Sequence, residues 1–347
     1  MHEAIHPAME FVLRTETVPA EPMTAAFAAI MDGEAPEVDI AALLAGLAVK
    51  GEAFEEIAAV ATVMRERSTK IPCQATGLLD TCGTGGDSLH TFNISTATAI
   101  VVAGAGVPVA KHGNRSVSSS SGSADVLASL GVNLQTSPEQ VGQCIDEVGI
   151  GFCFAPLLHS AMKNVVPVRK MLGIRTIFNL LGPLTNPAGA QFQLLGANRI
   201  SSAEKIARAL HELGCEQASV VCGNDELDEV SLWGETTVFV VSPDEVKLLK
   251  WTAATFELDE CSVEELKVDG PEASAETIRK VLAGEVGAAR NIVLANAAAA
   301  LVTGGHASDV VVGTAKAAKA IDSGAAKNTL ERLVELTQSF AGQSNFP

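Results

Sequence analysis

The stretch LDTCGTGGDSLHTFNISTATAIVVAGAGVPVAKHGNRSVSSSSGS, Leu79 to Ser123, decides how the chain is read. A short apolar run at Leu78 and Leu79, closed by Asp80, Thr81 and Cys82, gives way to Gly83, Gly85 and Gly86. That is too much glycine for a regular element, so a tight loop is expected. Asn93 and Ser95 precede the apolar segment Ala97 to Ala105, so the loop feeds a helix N-terminus, where bare backbone N–H groups suit phosphate. Val107 to Ala110 reads as a buried strand leading into Lys111-His112-Gly113-Asn114-Arg115 and four serines, Ser118 to Ser121. Glycine-rich turns and serine runs are, taken separately, common in structural turns and linkers. Here they share one stretch, each follows a strand-like run, and the second carries a lysine and an arginine that a linker does not need. In open α/β sheets such loops converge at the carboxyl ends of strands, so a ligand with phosphates at both ends is expected.

Composition bounds the rest. A chain of 347 residues with 47% apolar content can bury a sizeable core as two domains or one large one. The longest apolar run, Ala97 to Ala110, is interrupted by Thr98, glycines and Pro108 and is too short for a bilayer. The N-terminus carries acids where a secretion signal needs bases, so a soluble cytoplasmic protein is expected. Seven cysteines, Cys73, Cys82, Cys144, Cys153, Cys215, Cys222 and Cys261, form no CxxC pair and read as reduced thiols. Net charge is −17, from 41 acids against 24 bases, which disfavours nucleic-acid or membrane partners. The same field repels a phosphorylated substrate, so local cations or a bound metal are required.

Residues from about 3 to 68 show helical periodicity, with Phe27, Ile30 and Met31, then Leu43, Leu44 and Leu47, then Ile57, Ala61 and Met64 at three- and four-residue steps. They read as a small helical domain or a dimerisation face, followed by a linker from Ser68 to Gly77. Beyond the central loops, strands and helices alternate. Ser123 is expected to cap a helix over 124–130, and Ser137-Pro138-Glu139 to open another ending at Gly149. Phe152 to Ala155, Ala190 to Ala197 and Ala218 to Cys222 read as strands, with a helix over Ser202 to Leu213. This rhythm implies an α/β fold with a mostly parallel sheet covered on both faces. Val238–Val241 with Val246–Leu249 reads as a hairpin, Ser262 to Val268 as an edge strand, and four helices are expected at about 274–283, 290–302, 307–322 and 326–340. Gln343 to Pro347 reads as a loose tail.

Two segments break the rhythm. His159 to Gly189 carries Lys163, Arg169, Lys170 and Arg175 in a chain this acidic. A basic run is often a solvated helix face, but here an anion site is the stronger reading, with the segment folding back on the N-terminal helices to form a cleft. After the strand ending at Cys222 come Asp225, Glu226, Asp228 and Glu229, which repel one another unless they share a cation. Acidic side chains at a strand's carboxyl edge suit Mg²⁺ held through one or two carboxylates plus substrate phosphates, whereas a plain solvated turn is the simpler alternative.

With GTGGD at 83–87, NIST at 93–96, KHGNRSVSS at 111–119, HSAMK at 159–163, VRK at 168–170, GIRTIFNLLGPLTNPAG at 173–189 and LDEVS at 227–231, the chain closely resembles the anthranilate phosphoribosyltransferase family, nearly end to end. KGE at 50–52 and ANAAAAL at 295–301 extend the likeness. The resemblance implies a nucleoside phosphorylase-like fold: a small all-helical domain at 1–74, with about 160–188 folding back onto it, and a large α/β domain with a mostly parallel central sheet at 75–159 and 189–347. It implies homodimers formed through the helical domains, and transfer of phosphoribose from phosphoribosyl pyrophosphate to the amine of anthranilate, as in tryptophan biosynthesis. Carried over by position, Gly83, Thr84, Gly86, Asp87, Thr91, Asn93, Ser95, Thr96, Lys111 and Ser119 would hold phosphoribosyl pyrophosphate. Gly83, Asn114, His159, Arg169 and Pro183 would contact anthranilate, with Arg169 suited to its carboxylate. Ser95, Asp228 and Glu229 would bind Mg²⁺, two ions per subunit, whereas Asp225 and Glu226 do not match the family's acidic pair. Ser120 stands where many relatives have a base, and Ser160 where proline is common.

The implied reaction needs no strong base or nucleophile, because an aromatic amine attacks unprotonated at neutral pH. Positioning and electrostatic stabilisation of the leaving diphosphate carry it, with water excluded by closure of a loop or domain. Two alternatives stay open at this point, a pyrimidine nucleoside phosphorylase and a non-catalytic nucleic-acid-binding relative.

Overall fold

The structure, a computed structural model, describes residues 1–115 and 121–341. Ser118, Ser119 and Ser120 of the serine run, and the tail from Gln343, therefore lie outside the described residues.

Seven strands form one sheet: β1 (Leu79–Gly83), β2 (Val109–Gly113), β3 (Ile150–Phe154), β4 (Phe192–Gly196), β5 (Gln217–Gly223), β6 (Thr236–Val241) and β7 (Val246–Trp251), in the order β3-β2-β1-β4-β5-β6-β7. The five from β3 to β5 are parallel, and β6 and β7 add an antiparallel hairpin. The chain leaves β1 on one side for β2 and β3, then re-enters on the other side as β4. The strand order thus reverses between β1 and β4, the place where open α/β sheets bind ligands. The carboxyl ends there are in register, Gly83 opposite Gly196.

Four helices precede the sheet: α1 (His6–Leu13), α2 (Ala20–Asp32), α3 (Glu37–Lys50) and α4 (Phe54–Arg67). Their junction is a buried carboxylate. Glu56 accepts N–H bonds from Val18 at 2.8 Å and Ala53 at 2.8 Å and pairs with Lys50 Nζ at 3.0 Å. Three donors from separate elements meet one side chain, which meets the condition for burying a charge.

The segment after β3 returns to this bundle. Val165, Val168, Ile177, Phe178, Leu181 and Leu184 share an apolar cluster with Met23, Phe27 and Ile30 of α2 and Leu43 and Leu47 of α3. Phe27 and Phe178 lie 5.8 Å apart centroid to centroid, and Asn164 Nδ2 donates to Met31 O at 2.8 Å. The same cluster runs on through the helix Ile200–Glu212 to Leu195, Val220 and Cys222 of the sheet, so bundle and sheet share one core. On the opposite face, α5 (Ile94–Gly104) packs with the helices Ala288–Thr303, Val310–Asp322 and Ala325–Ser339. Among the described residues no helix is long and apolar enough to cross a membrane.

Two local expectations fail. Ser262 to Val268 is not an edge strand: Ser262 N and Oγ both bond the Glu265 carboxylate, which curls Val263–Leu266 into a 3₁₀ turn. One isolated bridge, Thr91 with Lys267, is what remains of strand pairing there. Ser123 is the first helical residue rather than the cap; Gly122 holds that place, its N–H bonded to Asp125 Oδ2 at 3.0 Å. The Ser137 cap is as expected, accepting from Gln140 N.

Close helix packing rests on Gly104, where an added Cβ would lie 2.6 Å from Ala326 Cα. Gly104→Ala should therefore lower the unfolding free energy by about 1–3 kcal/mol, read from the midpoint of urea denaturation; an unmoved midpoint would contradict this packing.

Candidate active site

β1, β2, β4 and β5 all end in glycine, at Gly83, Gly113, Gly196 and Gly223. The reason at β1 and β4 is the loop Asn224–Glu229, which folds over the strand ends at the β1/β4 reversal. A Cβ on Gly83 would run into the Asp228 carboxylate, and one on Gly196 into the Asp228 carbonyl oxygen. Only bare backbone lets the acidic loop sit there. From below, Asn296 in the helix Ala288–Thr303 holds the same loop, its Oδ1 accepting from Val230 N at 2.9 Å and its Nδ2 donating to Val230 O at 3.1 Å.

The loop after β1 meets the acids from the other side. Gly85, with φ of 68°, and Gly86, with φ of 77°, turn the chain so that Gly85 N donates to Asp228 Oδ2 at 2.7 Å. Thr84 N bonds Gly196 O at 2.9 Å, and Asn198 Nδ2 bonds Gly86 O at 2.6 Å. Ser88 and His90 also have positive φ, unusual for residues with a Cβ. Asp87 stands close enough to Asp228 for the two carboxyl groups to share a proton.

Electrostatically the acids are under pressure. Burial first, then the Asp87 charge, raises Asp228 to a pKa of about 7. Burial and the Asp228 charge raise Glu229 well above its ordinary range, against the pull of Lys111 and a hydrogen bond from Ser95 N–H. Such a group holds shared protons that a divalent cation displaces. Lys111, nearly buried, donates from Nζ to Thr81 O at 2.6 Å and Ser95 Oγ at 3.2 Å. Burial pushes its pKa down, while Asp80, Cys82 and Glu229 hold it up.

The helix end differs from expectation in one respect. Two of the first amides of α5 are already in use, Ile94 N by Phe92 O and Thr96 N by Asn93 O, while Ser95 N faces the Glu229 carboxylate. The acidic loop thus lies across this terminus. Asn93 does not cap α5 with its side chain; its Oδ1 accepts from Ser121 Oγ at 2.8 Å and Ser274 Oγ at 3.0 Å. The Thr96 hydroxyl, fully buried, has no partner among the described residues.

On the other flank His112 and His159 meet Nε2 to Nε2 at 3.2 Å, and His112 Nδ1 lies 3.1 Å from Gly182 O. A carbonyl only accepts, so His112 carries its proton on Nδ1, and His159 donates from Nε2 to the His112 lone pair. Both rings are neutral at pH 7, since burial above all pushes His112 down to about 3 and His159 to about 4. Pro183 follows Gly182, its carbonyl accepting from Gln193 Nε2 at 2.9 Å. Arg169 stacks over Phe178 at 5.4 Å and has no acidic or hydrogen-bond partner among the described residues. Asn114 is exposed at the end of β2, its Oδ1 accepting from Arg115 N.

Of the sequence-derived site residues, Gly83, Thr84, Gly86, Asp87, Ser95, Lys111, Asp228 and Glu229 converge on the strand reversal. His159 and Pro183 meet through His112 and Gly182, whereas no direct contact ties Arg169 or Asn114 to that pair. Thr91 is bridged to Lys267. Ser119 lies outside the described residues.

Several participants carry no individual role in the sequence reading, Arg175 only a share in a basic run. Asp80, fully buried, accepts from His112 N at 3.0 Å and Asn186 Nδ2 at 2.8 Å, joining β1, β2 and the returning segment. A carboxylate inside an apolar strand was the available signal. Asn296, the lone amide in the core of an alanine-rich helix, was another. Arg175 lies over the glycine loop, its Nη1 3.0 Å from where a Cβ on Gly86 would be. Nothing in its sequence context distinguished it from the other bases.

Comparison with known proteins agrees with this architecture. Residues 7–68 match the helical bundle domain of the glycosyl transferase family, and residues 75–327 match its a/b domain. An anthranilate phosphoribosyltransferase of Desulfosudis oleivorans is 47% identical over 94% of this chain and 97% of its own. One from Chromobacterium violaceum is 50% identical over 92% and 94%. The crystal structure of the Thermus thermophilus enzyme superposes with a TM-score of 0.90 at 40% identity, covering 96% of this chain and 99% of the other. A Saccharomyces cerevisiae anthranilate phosphoribosyltransferase in complex with PRPP and Mg has a TM-score of 0.88 at 27% identity, covering 97% and 99%. A fold, a strand-end acid cluster and a glycine loop built in this way place the chain in the anthranilate phosphoribosyltransferase family.

Proposed function

We propose that the cleft at the β1/β4 reversal binds phosphoribosyl pyrophosphate and transfers its phosphoribosyl group to the amine of anthranilate, releasing pyrophosphate. The observation that carries this reading is the seating of Asp228 and Glu229 on the glycine loop beside Lys111 and Ser95. The pyrimidine nucleoside phosphorylase and nucleic-acid-binding alternatives give way to the family membership.

The acid pair fits a divalent ion. Its raised pKa values reflect burial first and then the crowding of negative charge into one place, and Ser95 Oγ lies beside Lys111 at 3.2 Å. Among the described residues no three His, Cys, Asp or Glu side chains form a ready metal cage, so the remaining ligands would be phosphate oxygens. We assign Ser95, Asp228 and Glu229 as the residues that hold Mg²⁺, two ions per subunit. When bound, magnesium supplies charge stabilisation for the departing diphosphate.

The chain's own groups do the rest. Lys111 and Arg175 offset the repulsion that a −17 chain exerts on the phosphates. Gly83, Thr84, Gly86, Asp87, Thr91, Asn93, Thr96 and Ser119 shape the phosphoribosyl site. Arg169, free of an internal partner, takes the anthranilate carboxylate, while His159, Pro183 and Asn114 flank the ring. Neutral His112 and His159 add no positive charge beside the amine, whose own low basicity keeps it unprotonated and nucleophilic. The domains divide as 1–74 with about 160–188, and 75–159 with 189–347. Val38 and Val49 of α3 are 72% and 89% exposed, as expected of a helical face that meets a second copy in a homodimer. Seven unpaired thiols are in keeping with a cytoplasmic setting.

Three outcomes check these roles. Arg169→Ala should raise the anthranilate KM by roughly 10- to 100-fold with kcat much less affected, followed by the loss of anthranilate fluorescence. Asp228→Asn with Glu229→Gln should mainly lose kcat while retaining the fold by circular dichroism; unchanged kinetics in both variants would refute the assignment. The third concerns pH. Because the folded pKa of Asp228 is raised to about 7, its ionisation costs stability progressively as pH rises from the unfolded value toward 7, and a bound cation offsets that cost above it. Magnesium affinity measured by calorimetry should thus fall by about tenfold or more per pH unit below 7, since the raised Glu229 gives up a proton as well. A flat profile between pH 6 and 8 would show that these acids do not bind the ion.

A further inference from the structure

At the opposite edge of the sheet from the cleft, where β4 and β5 begin, lies a second cavity of about 270 Å³. Its walls include Arg65 from the end of α4, Lys70 from the first linker, Gln191 and Gln193 at the entry to β4, and Cys215 and Glu216 before β5. It sits where the connections between bundle and sheet are sewn together: Thr69 N bonds Leu158 O at 2.9 Å and Ile71 N bonds Pro187 O at 3.4 Å.

The lining is unusual in what it leaves unused. Arg65 Nε donates to Leu184 O at 2.6 Å, which anchors the guanidinium. Its two terminal amino groups have no hydrogen-bond or ion-pair partner among the described residues. In a chain with 41 acids against 24 bases, an arginine partly withdrawn from water normally finds a carboxylate. Lys70 Nζ donates to Arg65 O at 2.6 Å and to Ser68 Oγ at 3.3 Å, leaving a third N–H. Gln191 uses its carbonyl to accept from Leu78 N at 2.8 Å, so its amide N–H₂ is spare. Burial pushes the Cys215 thiol up to about 11, so it adds no negative charge. Glu216 is the one opposing charge on the wall, and it is exposed and unpaired among the described residues.

We propose that this cavity is a second binding site, for a small oxyanion held in the fork of Arg65 with help from Lys70 and the Gln191 amide. A carboxylate and a phosphate share the required chemistry, planar or tetrahedral oxygens facing a guanidinium. The occupant touches α4 on one side and the starts of β4 and β5 on the other, so its binding ties bundle to sheet across the linkers. The site stands independently of the reaction assigned to the cleft.

The test uses the full chain labelled with ¹⁵N-arginine, with the Arg65 Nε–H resonance identified by its loss in Arg65→Lys. Inorganic phosphate and acetate are titrated separately. A saturable shift of that resonance with phosphate alone assigns a phosphate site, with acetate alone a carboxylate site, and with both a general oxyanion site; each supports the proposal. Gln191→Leu should weaken the binding by about tenfold, and Glu216→Gln, a change at an exposed position, should strengthen it. No saturable shift with either anion in the wild-type chain overturns the proposal, as does undiminished binding at this site in Gln191→Leu together with no gain in Glu216→Gln.

Discussion

Everything in the cleft depends on a steric concession at the strand ends. Gly83 and Gly196 lie opposite each other in register, and Asp228 occupies the space where their side chains would be. That contact sets where the carboxylates of Asp228 and Glu229 stand relative to the glycine loop, Lys111 and the start of α5. Burial at this place raises the proton affinity of both acids. The cost of confining like charges is the same property that favours a multivalent cation. Asn296 below the loop and Gly85 above it fix the arrangement from both sides.

Much of this could be read before any coordinates. Alternating apolar runs and capped helices announce a mostly parallel sheet, and the hairpin Thr236–Val241 with Val246–Trp251 lies where its β-branched pattern places it. The loops of the site are legible because glycine, serine and charge interrupt apolar runs at strand ends. Long-range hydrogen bonds are not. Asp80 joins His112 and Asn186, which are 32 and 106 residues away, and no local pattern encodes such a meeting. The approach of Glu229 to the Ser95 amide is illegible for the same reason, since Glu229 arrives from the end of another strand. Ser262 misled because one carboxylate, Glu265, offers the backbone a turn in place of a ladder.

The bundle and the sheet are less separate than their sequence suggests. One apolar cluster passes from Phe27 and Leu47 through Phe178 to Leu195 and Val220. Movement between the two parts must therefore be a small slide or bend of packed surfaces rather than free swinging about a linker. Cross-bonded connections at Thr69, Leu158, Ile71 and Pro187 point the same way.

That discontinuous bundle also has a consequence for how the molecule is made. α4 ends at Arg67, but the helix that completes the bundle's core does not begin until Val166. At ribosomal speeds of about 5–20 residues per second, the first four helices wait roughly 5–20 s for their missing wall. During that interval the face of Phe27 that later meets Phe178 is open to water or to whatever chaperone surface will cover it. Newly emerging chain, rather than finished enzyme, is thus the form of this protein most exposed to aggregation.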